Sequence, residues 1–177
     1  IVMATSARKV SLAEAKELDD VDVLVPDVIV TRVHSDRFNV EEANRSQGMA
    51  VLGSGTARHK VVALFGTVTG TSDDERVIRL LDLQKEEDST APGPLGMGAL
   101  ALGGKGQSGK QIGCDGSVGP NNIGLDVAIW GTVTYRDWND NWITVDDGSG
   151  RESGTGYPGV KVVGAIGASN LLPGMMV

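Results

Sequence analysis

Residues 142–163 read WITVDDGSGRESGTGYPGVKVV, and the predicted fold class follows from their pattern. Apolar and polar side chains alternate from Ile143 to Asp146, which is the two-residue period of a half-buried strand. Carboxylates and glycines at residues 146–150 then favour a turn, because they suit turn conformations and bring no apolar surface to a core. After a loop rich in glycine and serine, a second strand begins at Val160. This order of strand, acidic turn, loop and strand is typical of the middle of a small Greek-key β-barrel.

A weaker copy of the pattern occurs earlier, in residues 37–51 (RFNVEEANRSQGMAV). Because the chain contains the pattern twice, we predict an all-β protein of two tandem Greek-key β-barrels. The first barrel is predicted at residues 21–84 and the second at residues 123–177. Residues 1–20 are expected to hold a strand and one short N-terminal helix. Residues 85–122 are expected to form a Gly/Pro-rich ordered connection that buries its scattered apolar side chains.

The composition agrees with short strands and many turns, since 40% of the 177 residues are hydrophobic, 25 are glycine and only 4% are aromatic. A net charge of −7 disfavours binding to phosphate backbones. Cys114 is the only cysteine, which excludes internal disulfides and zinc sites built from several cysteines. No apolar run approaches the roughly 18 residues of a membrane-spanning helix, so we expect no membrane span.

The signals of the first barrel begin with a capping box, Ser11 and Glu14, which starts a short helix expected to end near Asp19. Separate strands are predicted on either side of Pro26. A long strand at residues 60–69 then precedes the strand that closes the barrel.

The second barrel is predicted to begin with a strand at residues 125–135 and to be incomplete. Residues 173–177 correspond in position to residues 58–62, the start of the fourth strand of the first barrel. A barrel with this gap has open edges that pair with another chain. We expect the N-terminal segment of a neighbouring copy to fill the gap, because its sequence has the pattern of the missing strand. The predicted subunit interface comprises Ile1, Val2, Met3, Ala4, Thr5, Ser6, Met175, Met176 and Val177.

Seven segments together carry a family resemblance: SLAEAKEL (11–18), DRFNVEEANRSQGM (36–49), FGTVTG (65–70), PLGMGALALGG (94–104), NNIGLDVAIWGTVTY (121–135), ITVDDGSG (143–150) and TGYPGVKVV (155–163). In this order they resemble OB-fold-like β-barrel repeats of very large secreted or surface proteins of environmental bacteria. The resemblance implies a tandem module of an extracellular protein and carries over no catalytic residue. Two features depart from the family pattern: Asn39 stands where an aromatic is usual, and residues 58–61 lack the expected Gly-Asp turn.

Oxygen-bearing side chains on both sides of Trp142 begin the spacing of a calcium loop. Trp142 stands where that loop requires glycine, and Gly148 stands where it requires glutamate, so turn chemistry is the favoured interpretation. Ca²⁺ is the only cofactor that the pattern suggests. The candidate ligands are Asp137, Asn139, Asn141, Asp146 and Asp147.

Aromatic residues concentrate in the second half of the chain. Trp130 and Trp142 lie in strand patterns and are predicted to be packed. Trp138, in a predicted turn, and Tyr135 are the candidate ligand contacts, because OB barrels use exposed rings to stack on bases or sugars. Asn44 begins an Asn-x-Ser sequence and is a candidate glycosylation site if the protein is extracellular.

The chain has two histidines and no serine or cysteine in a recognisable nucleophile motif, so we predict no catalytic residues and no enzyme activity. We predict a structural repeat unit of an extracellular filament or cell-surface fibre, whose partners are further copies of itself and not nucleic acid. The units would assemble head to tail by β-strand complementation, or be joined as a continuous tandem-repeat polypeptide. The alternative is an OB-like module that binds a glycan or single-stranded nucleic acid, which would require a groove with exposed aromatics.

Overall fold

The computed structural model describes residues 7–54, 60–72, 74–85, 90–105, 110–164 and 170–177, with the backbone alone at residues 60, 62 and 85. Strands hold 45% of the residues and helices 5%, which confirms the prediction of a mainly β protein with one short helix. Ile1 to Ser6, the predicted donor segment, lie outside the described residues.

Five strands of the first half close into a barrel. β2 pairs with β3 and β5, β3 pairs with β4, β4 pairs in parallel with β6, and β6 pairs with β5. Closure gives each of these strands a partner on both sides, which removes the open edges of a sheet. The elements up to residue 85 are β1 (Arg8–Lys9), α1 (Leu12–Ala15), β2 (Val21–Val33), β3 (Arg37–Glu42), β4 (Gly48–Leu52), β5 (Lys60–Gly70) and β6 (Arg76–Lys85).

The short helix α1 begins with the predicted capping box. The Ser11 hydroxyl accepts the Glu14 amide at 3.2 Å, and the Ser11 amide donates to the Glu14 carboxylate at 2.8 Å. The Ser11 amide and the Ser11 hydroxyl both donate to this carboxylate, which favours its ionised form and lowers the pKa of Glu14. The helix ends before its predicted limit near Asp19, because the amides of Glu17 and Leu18 bond to carbonyls three residues back and tighten the chain.

β2 runs without interruption through Pro26, where two separate strands were predicted. Asp27 adopts a left-handed conformation, with φ of 54°. The pairing with β5 passes over it, since Pro26 faces Ala63 and Val28 faces Val61. The strand therefore bends at this point and pairs with β5 along its first part and with β3 along its last part.

One cluster of fifteen buried apolar side chains fills the barrel. α1 contributes Leu12 and Ala15, both fully buried. Burial stabilises each large apolar side chain by roughly 1.5–3 kcal/mol before entropy costs. The members are Val10, Leu12, Ala15, Val23, Val25, Val28, Val30, Phe38, Val40, Met49, Val51, Val61, Leu64, Val68 and Ile78.

The second half contains two small sheets. β7 and β8 form a parallel pair, and β9, β10 and β11 form an antiparallel sheet. Only Val133, Ile143 and Val145 form the buried apolar cluster of that sheet within the described residues. The elements are β7 (Leu95–Gly96), a 3-10 helix (Ala99–Ala101), β8 (Val127–Ala128), β9 (Thr132–Asp137), β10 (Trp142–Asp146) and β11 (Val160–Val163).

The continuous strand predicted at residues 125–135 is wrong, because the chain breaks between β8 and β9. β8 belongs to the sheet with β7, whereas β9 belongs to the three-stranded sheet. A Cβ atom at Gly131 would lie 2.3 Å from the carbonyl oxygen of Asp146. Only glycine permits this close approach of the two backbones, so the break is part of how the second sheet packs.

Candidate functional site

The sheet of β9, β10 and β11 is open, in contrast to the barrel. Within the described residues, β11 has a strand partner only in β10. On its other side the Lys161 amide donates to the Ser153 hydroxyl at 3.0 Å, so a side chain stands where a strand could pair. Open edges of this kind template pairing with another strand. The open sheet is therefore the candidate functional site.

The other edge strand, β9, is paired near its start by the C-terminal residues. Gly131 and Val177 exchange two backbone hydrogen bonds of 3.1 and 2.9 Å, and the Val133 amide donates to the Met175 carbonyl at 2.8 Å. Met176 faces the first residue of β9 across this pairing. The described part of the predicted interface, Met175 to Val177, thus lies at the edge of the open sheet.

Exposed apolar side chains are more numerous in the second half of the described chain than in the barrel. The three interface residues are exposed by 43% (Met175), 72% (Met176) and 40% (Val177). Among the described residues, two exposed large apolar side chains lie in the barrel and ten lie beyond residue 110. They are Val33 and Leu81 in the barrel, followed by Ile112, Val118, Trp130, Trp138, Tyr157, Val163, Leu172, Met175, Met176 and Val177. Three of these residues, Met175 to Val177, are consecutive at the edge of the open sheet.

The open sheet repeats the strand pairing of the barrel. Both first strands contain a one-residue shift in register, at Thr31 in β2 and at Thr134 in β9. A buried valine precedes each shift, Val30 in β2 and Val133 in β9. The corresponding pairs are Val30–Val40 and Val133–Val145 before the shift, and Arg32–Asn39 and Tyr135–Thr144 after it.

The same alignment places the C-terminal residues on the fourth strand of the barrel, β5. Met176 pairs with Thr132 of β9. At the equivalent point of the barrel, the first residue of β5 pairs with β2. Val177, the next residue, therefore occupies the position of Val61. The sequence predicted a correspondence with residue 62, one residue further along. From this position β5 continues to its end and pairs with β6. Val61 is fully buried in the barrel, whereas Val177 is 40% exposed.

The face of the open sheet opposite its apolar cluster carries aromatic rings. Tyr157 stacks on Tyr135 with ring centroids 3.7 Å apart, and Trp142 lies 5.1 Å from Tyr135. The Lys161 ammonium lies 4.6 Å from the centroid of Trp142, within reach of a cation–π interaction. Packing against its neighbours, together with the charges of Tyr157 and Asp137, raises the pKa of Tyr135. We call Tyr135, Trp142, Tyr157 and Lys161 the aromatic platform.

Trp138 lies in the turn between β9 and β10 and is 62% exposed. The Arg136 guanidinium lies 3.8 Å from the centroid of its ring and donates to the Leu171 carbonyl at 3.1 Å. The Arg136 guanidinium therefore covers one face of the Trp138 ring. Trp130 is 53% exposed, so its predicted packing is wrong, since it falls in the break between β8 and β9.

The five candidate calcium ligands lie in turns or next to them. Asp137 accepts the amide of Asn139 at 2.9 Å, and Asn141 has a φ of 53° in the same turn. Asp146 and Asp147 each accept the amide two residues further along. The described residues contain no group of three His, Cys, Asp or Glu side chains that could hold a metal ion. The geometry thus gives the calcium hypothesis no support.

Asn44, the candidate glycosylation site, is exposed in the loop between β3 and β4. Its side-chain oxygen accepts the amide of Ser46 at 2.9 Å, and the Ser46 hydroxyl donates to Glu42 at 2.6 Å. The side chain is accessible, and its glycosylation stays a prediction.

In the barrel, the face equivalent to the aromatic platform is covered by the segment that leads into β8. The Asn39 amide group donates to the Gly124 carbonyl at 3.0 Å. Arg32 pairs with Asp126 at 3.0 Å, and the Asp126 amide donates to Glu41 at 2.5 Å. Arg32 and Asn39 align with Tyr135 and Thr144 of the open sheet. Sequence reasoning noted Asn39 as unusual but missed the partner that explains it.

The connection also bonds to the region of the open sheet. The Ala99 amide donates to the Asp147 carboxylate at 2.7 Å, and Arg151 donates to the Ser117 hydroxyl at 2.6 Å. Hydrogen bonds from Ser149 and from Ala99 lower the pKa of Asp147. Residues 99–126 therefore make hydrogen bonds both to the barrel and to the region of the open sheet, although they contain little regular secondary structure.

No protein-family model, no curated protein and no solved structure matches this chain. Within the described ranges, no helix has the length and the apolar character needed to cross a membrane. The geometry of the open sheet is therefore the basis for assigning a function.

Proposed function

We propose that this protein is a structural repeat unit of an extracellular filament or surface fibre, in which a strand from another copy completes the open sheet. The two halves would be OB-like Greek-key barrels in tandem, the first closed within the chain and the second closed by its neighbour. The observation that carries the proposal is the alignment of the open sheet with β2, β3, β4 and the start of β5. The proposal assigns no catalytic reaction and no nucleic-acid partner.

The proposed donor strand is the segment Ile1 to Ser6 of the next copy. In the alignment, residues that continue the strand beyond Val177 match residues 62–67 of β5. That part of β5 reads VALFGT and the donor reads IVMATS, so both begin apolar and end with small and polar residues. Met3 would take the position of Leu64, which is fully buried in the barrel. The donor would belong to a separate chain or to a continuous tandem-repeat polypeptide.

Apolar burial and backbone hydrogen bonds would stabilise this junction. Met176 and Val177, directly before the donor, are exposed by 72% and 40%, so they have surface to lose. Complete burial of a large apolar side chain contributes roughly 1.5–3 kcal/mol. A head-to-tail contact of this kind joins two different surfaces and propagates into a fibre instead of closing. Because each copy carries a net charge of −7, added salt should favour assembly.

The test is sedimentation and electron microscopy of the full chain over a range of concentrations. We expect fibres or oligomers that grow with concentration and disappear when residues 1–6 are deleted. Val177→Asp should also block assembly, because it places a charge at the junction. Val33→Asp is the matched control, since Val33 is 39% exposed and lies in the closed barrel. Equal assembly of the two variants, or a monomeric full chain that does not bind a peptide of residues 1–9, would refute the proposal.

The continuous form of the proposal has its own test. Two units joined directly from Val177 to Ile1 should show slow amide exchange across the junction, because its residues would form one paired strand. Rapid exchange there in a folded protein would contradict the pairing.

A second candidate function, binding of a glycan by an OB-like module, draws on the aromatic residues of the open sheet. Tyr157 and Trp138 are exposed. Tyr135 covers one face of the Tyr157 ring, and the Arg136 guanidinium covers one face of the Trp138 ring. Pre-positioned rings of this kind suit stacking on sugars. NMR titration with a panel of oligosaccharides should show shifts that Tyr157→Ala or Trp138→Ala abolishes. Binding of oligonucleotides instead, weakened by salt, would favour the nucleic-acid version.

A further inference from the structure

The long loop between β10 and β11 begins with a short segment that runs beside the start of β11. Glu152 forms β-bridges with Pro158 and Gly159, and the bridge with Gly159 is parallel. The Gly159 amide donates to the Arg151 carbonyl at 2.8 Å, as pairing in this direction requires. Residues 151–153 thus lie along the edge of β11 that faces away from β10.

Ser153 closes the next point of this edge with its side chain. Its hydroxyl accepts the Lys161 amide at 3.0 Å and donates to the Gly159 carbonyl at 3.2 Å. In a parallel pair, a residue opposite Val160 would make these two bonds with its own carbonyl and amide. One hydroxyl therefore replaces the backbone of one strand residue. The chain then turns away at Gly154, which has a φ of 71°.

The barrel has a full strand at the same place. The alignment of Val40 with Val145 places β11 on β4. Ala50 of β4, which corresponds to Lys161, pairs in parallel with Val77 of β6. The segment beside β11 therefore has the position and the direction of the start of β6, the fifth strand of the barrel.

The proposed donor brings no strand to this edge. Residues 1–6 of the next copy would take the place of part of β5, and only one residue separates them from β1. Because β1 pairs in parallel with β2 of its own barrel, the donor cannot turn back beside β11 as β6 turns back beside β5. The edge of β11 must therefore be closed by another group.

We propose that residues 151–153 replace the fifth strand and that the Ser153 hydroxyl seals the edge of β11, so that each open sheet accepts a single strand from another copy. The inference rests on the proposed function, since it assigns the number of strands that one copy takes up. Ser153 is then a specificity-determining residue of the assembly.

The seal has a consequence for the shape of the assembly. An edge with open amides and carbonyls pairs with any strand that reaches it, including the same edge of another fibre. With the amide of Lys161 and the carbonyl of Gly159 bound to Ser153, pairing at this point requires that the hydroxyl first be displaced. The fibres should therefore grow end to end and not join sideways through β11.

The experiment measures the binding of a labelled peptide of residues 76–85, the sequence of β6, to the full chain at a dilution where it sediments as a monomer. Fluorescence anisotropy gives the affinity for the unchanged chain and for Ser153→Ala. We expect Ser153→Ala to bind the peptide about tenfold more tightly, because its β11 edge has two open hydrogen-bonding groups. Bound peptide should also slow amide exchange in residues 161–163. Equal affinities of the folded proteins would overturn the proposal.

Matched variants separate the seal from other effects of the loop. Ser153→Thr keeps a hydroxyl and should bind the peptide as weakly as the unchanged chain. Ser153→Val has the shape of that variant without the hydroxyl, and it replaces Ser153→Ala if the latter does not fold by circular dichroism. Thr155→Ala removes a hydroxyl that bonds to the backbone of Tyr157 in the same loop, and it should change nothing. Tight binding by Ser153→Thr or by Thr155→Ala would contradict the role of the Ser153 hydroxyl.

The outcome differs from that of the assembly test. Ser153→Ala should bind the donor peptide of residues 1–9 as tightly as the unchanged chain, because that peptide pairs at the other edge. Absence of donor binding and of fibres refutes the proposed function, whatever the β6 peptide does. Fibres that form while Ser153→Ala binds the β6 peptide no better than the unchanged chain refute the seal alone.

Discussion

The barrel and the open sheet contain the same arrangement of strands in two states of completion. Both have a first strand with a one-residue register shift, a second strand and a third strand in equivalent register. The barrel adds the full length of β5 and β6, and its core holds fifteen apolar side chains. Among the residues that the structure describes, the open sheet has only the start of the fourth strand, and its buried apolar cluster holds three side chains. Completion of the ring thus accounts for most of the core and for the loss of open edges.

The two sheets also differ in what lies on their outer face. In the barrel, Asn39 and Arg32 bind the segment that leads into β8. In the open sheet, the equivalent positions belong to Thr144 and Tyr135, and Tyr157 stacks on Tyr135 from the long loop between β10 and β11. The same backbone arrangement can therefore hold a neighbouring segment or present an aromatic platform, depending on these few side chains.

The largest effect should come from truncating the core at aligned positions. Phe38→Ala in the barrel should lower the free energy of unfolding by about 3–5 kcal/mol, because a fully buried ring is replaced by a cavity. Ile143→Ala at the equivalent position should cost about 2 kcal/mol, at the low end for such a change, since fewer side chains surround it. Urea denaturation of each variant measures its loss in the free energy of unfolding.

Val40→Ala and Val145→Ala are the matched controls for this contrast, because they remove the same two methyl groups from aligned residues. We expect the larger loss at Val40. A larger loss at Val145 would mean that the open sheet is as well packed as the barrel.

A smaller effect is expected on the outer face. Asn39→Ala removes the hydrogen bond to the Gly124 carbonyl and should cost about 1 kcal/mol. Hydrogen exchange in residues 124–128 should become faster, because the segment loses an anchor. Thr144→Val, at the aligned position, removes a hydroxyl that lies 2.6 Å from Thr134 and should leave exchange in that segment unchanged. Equal effects of the two changes would contradict the assignment of this face.

The smallest effect concerns pH. The pKa of Asp147 is lowered by hydrogen bonds from Ser149 and from the Ala99 amide. The folded state therefore binds its proton less readily than the unfolded state, whose aspartate pKa is about 3.9. The stabilisation is present above that pH and is lost as the pH falls through the lower folded value. Asp147→Asn should remove this part of the acid sensitivity, which stability measurements between pH 2 and 6 would show.

The sequence predicted those features that depend on local pattern. The alternation in residues 142–146 and the capping box at Ser11 and Glu14 correspond to β10 and to the start of α1. Features that depend on distant partners could not be predicted in this way. The burial of Lys16 requires oxygens that are supplied from residues 47, 121 and 123.

The break before β9 is a second example of a long-range cause. Residues 125–135 have the pattern of one strand, but Gly131 must approach the backbone at Asp146. Gly131 is itself a local sign of a close backbone approach, but the partner at Asp146 lies outside the segment. The exposure of Trp130 follows from the same break, so one missed contact accounts for two wrong predictions.

The central proposal is that a strand of another copy pairs beside the open sheet as β5 pairs with β2 in the barrel. Amide hydrogen exchange of the full chain, first dilute and then concentrated, tests it through two aligned segments, residues 21–26 of β2 and residues 124–129. Residues 21–26 pair with β5, and the proposed donor would pair with residues 124–129 in the same way. We predict slow exchange in residues 21–26 at every concentration, and exchange in residues 124–129 that slows as the chain assembles. Exchange in residues 124–129 that stays the same while the chain assembles would contradict the proposal.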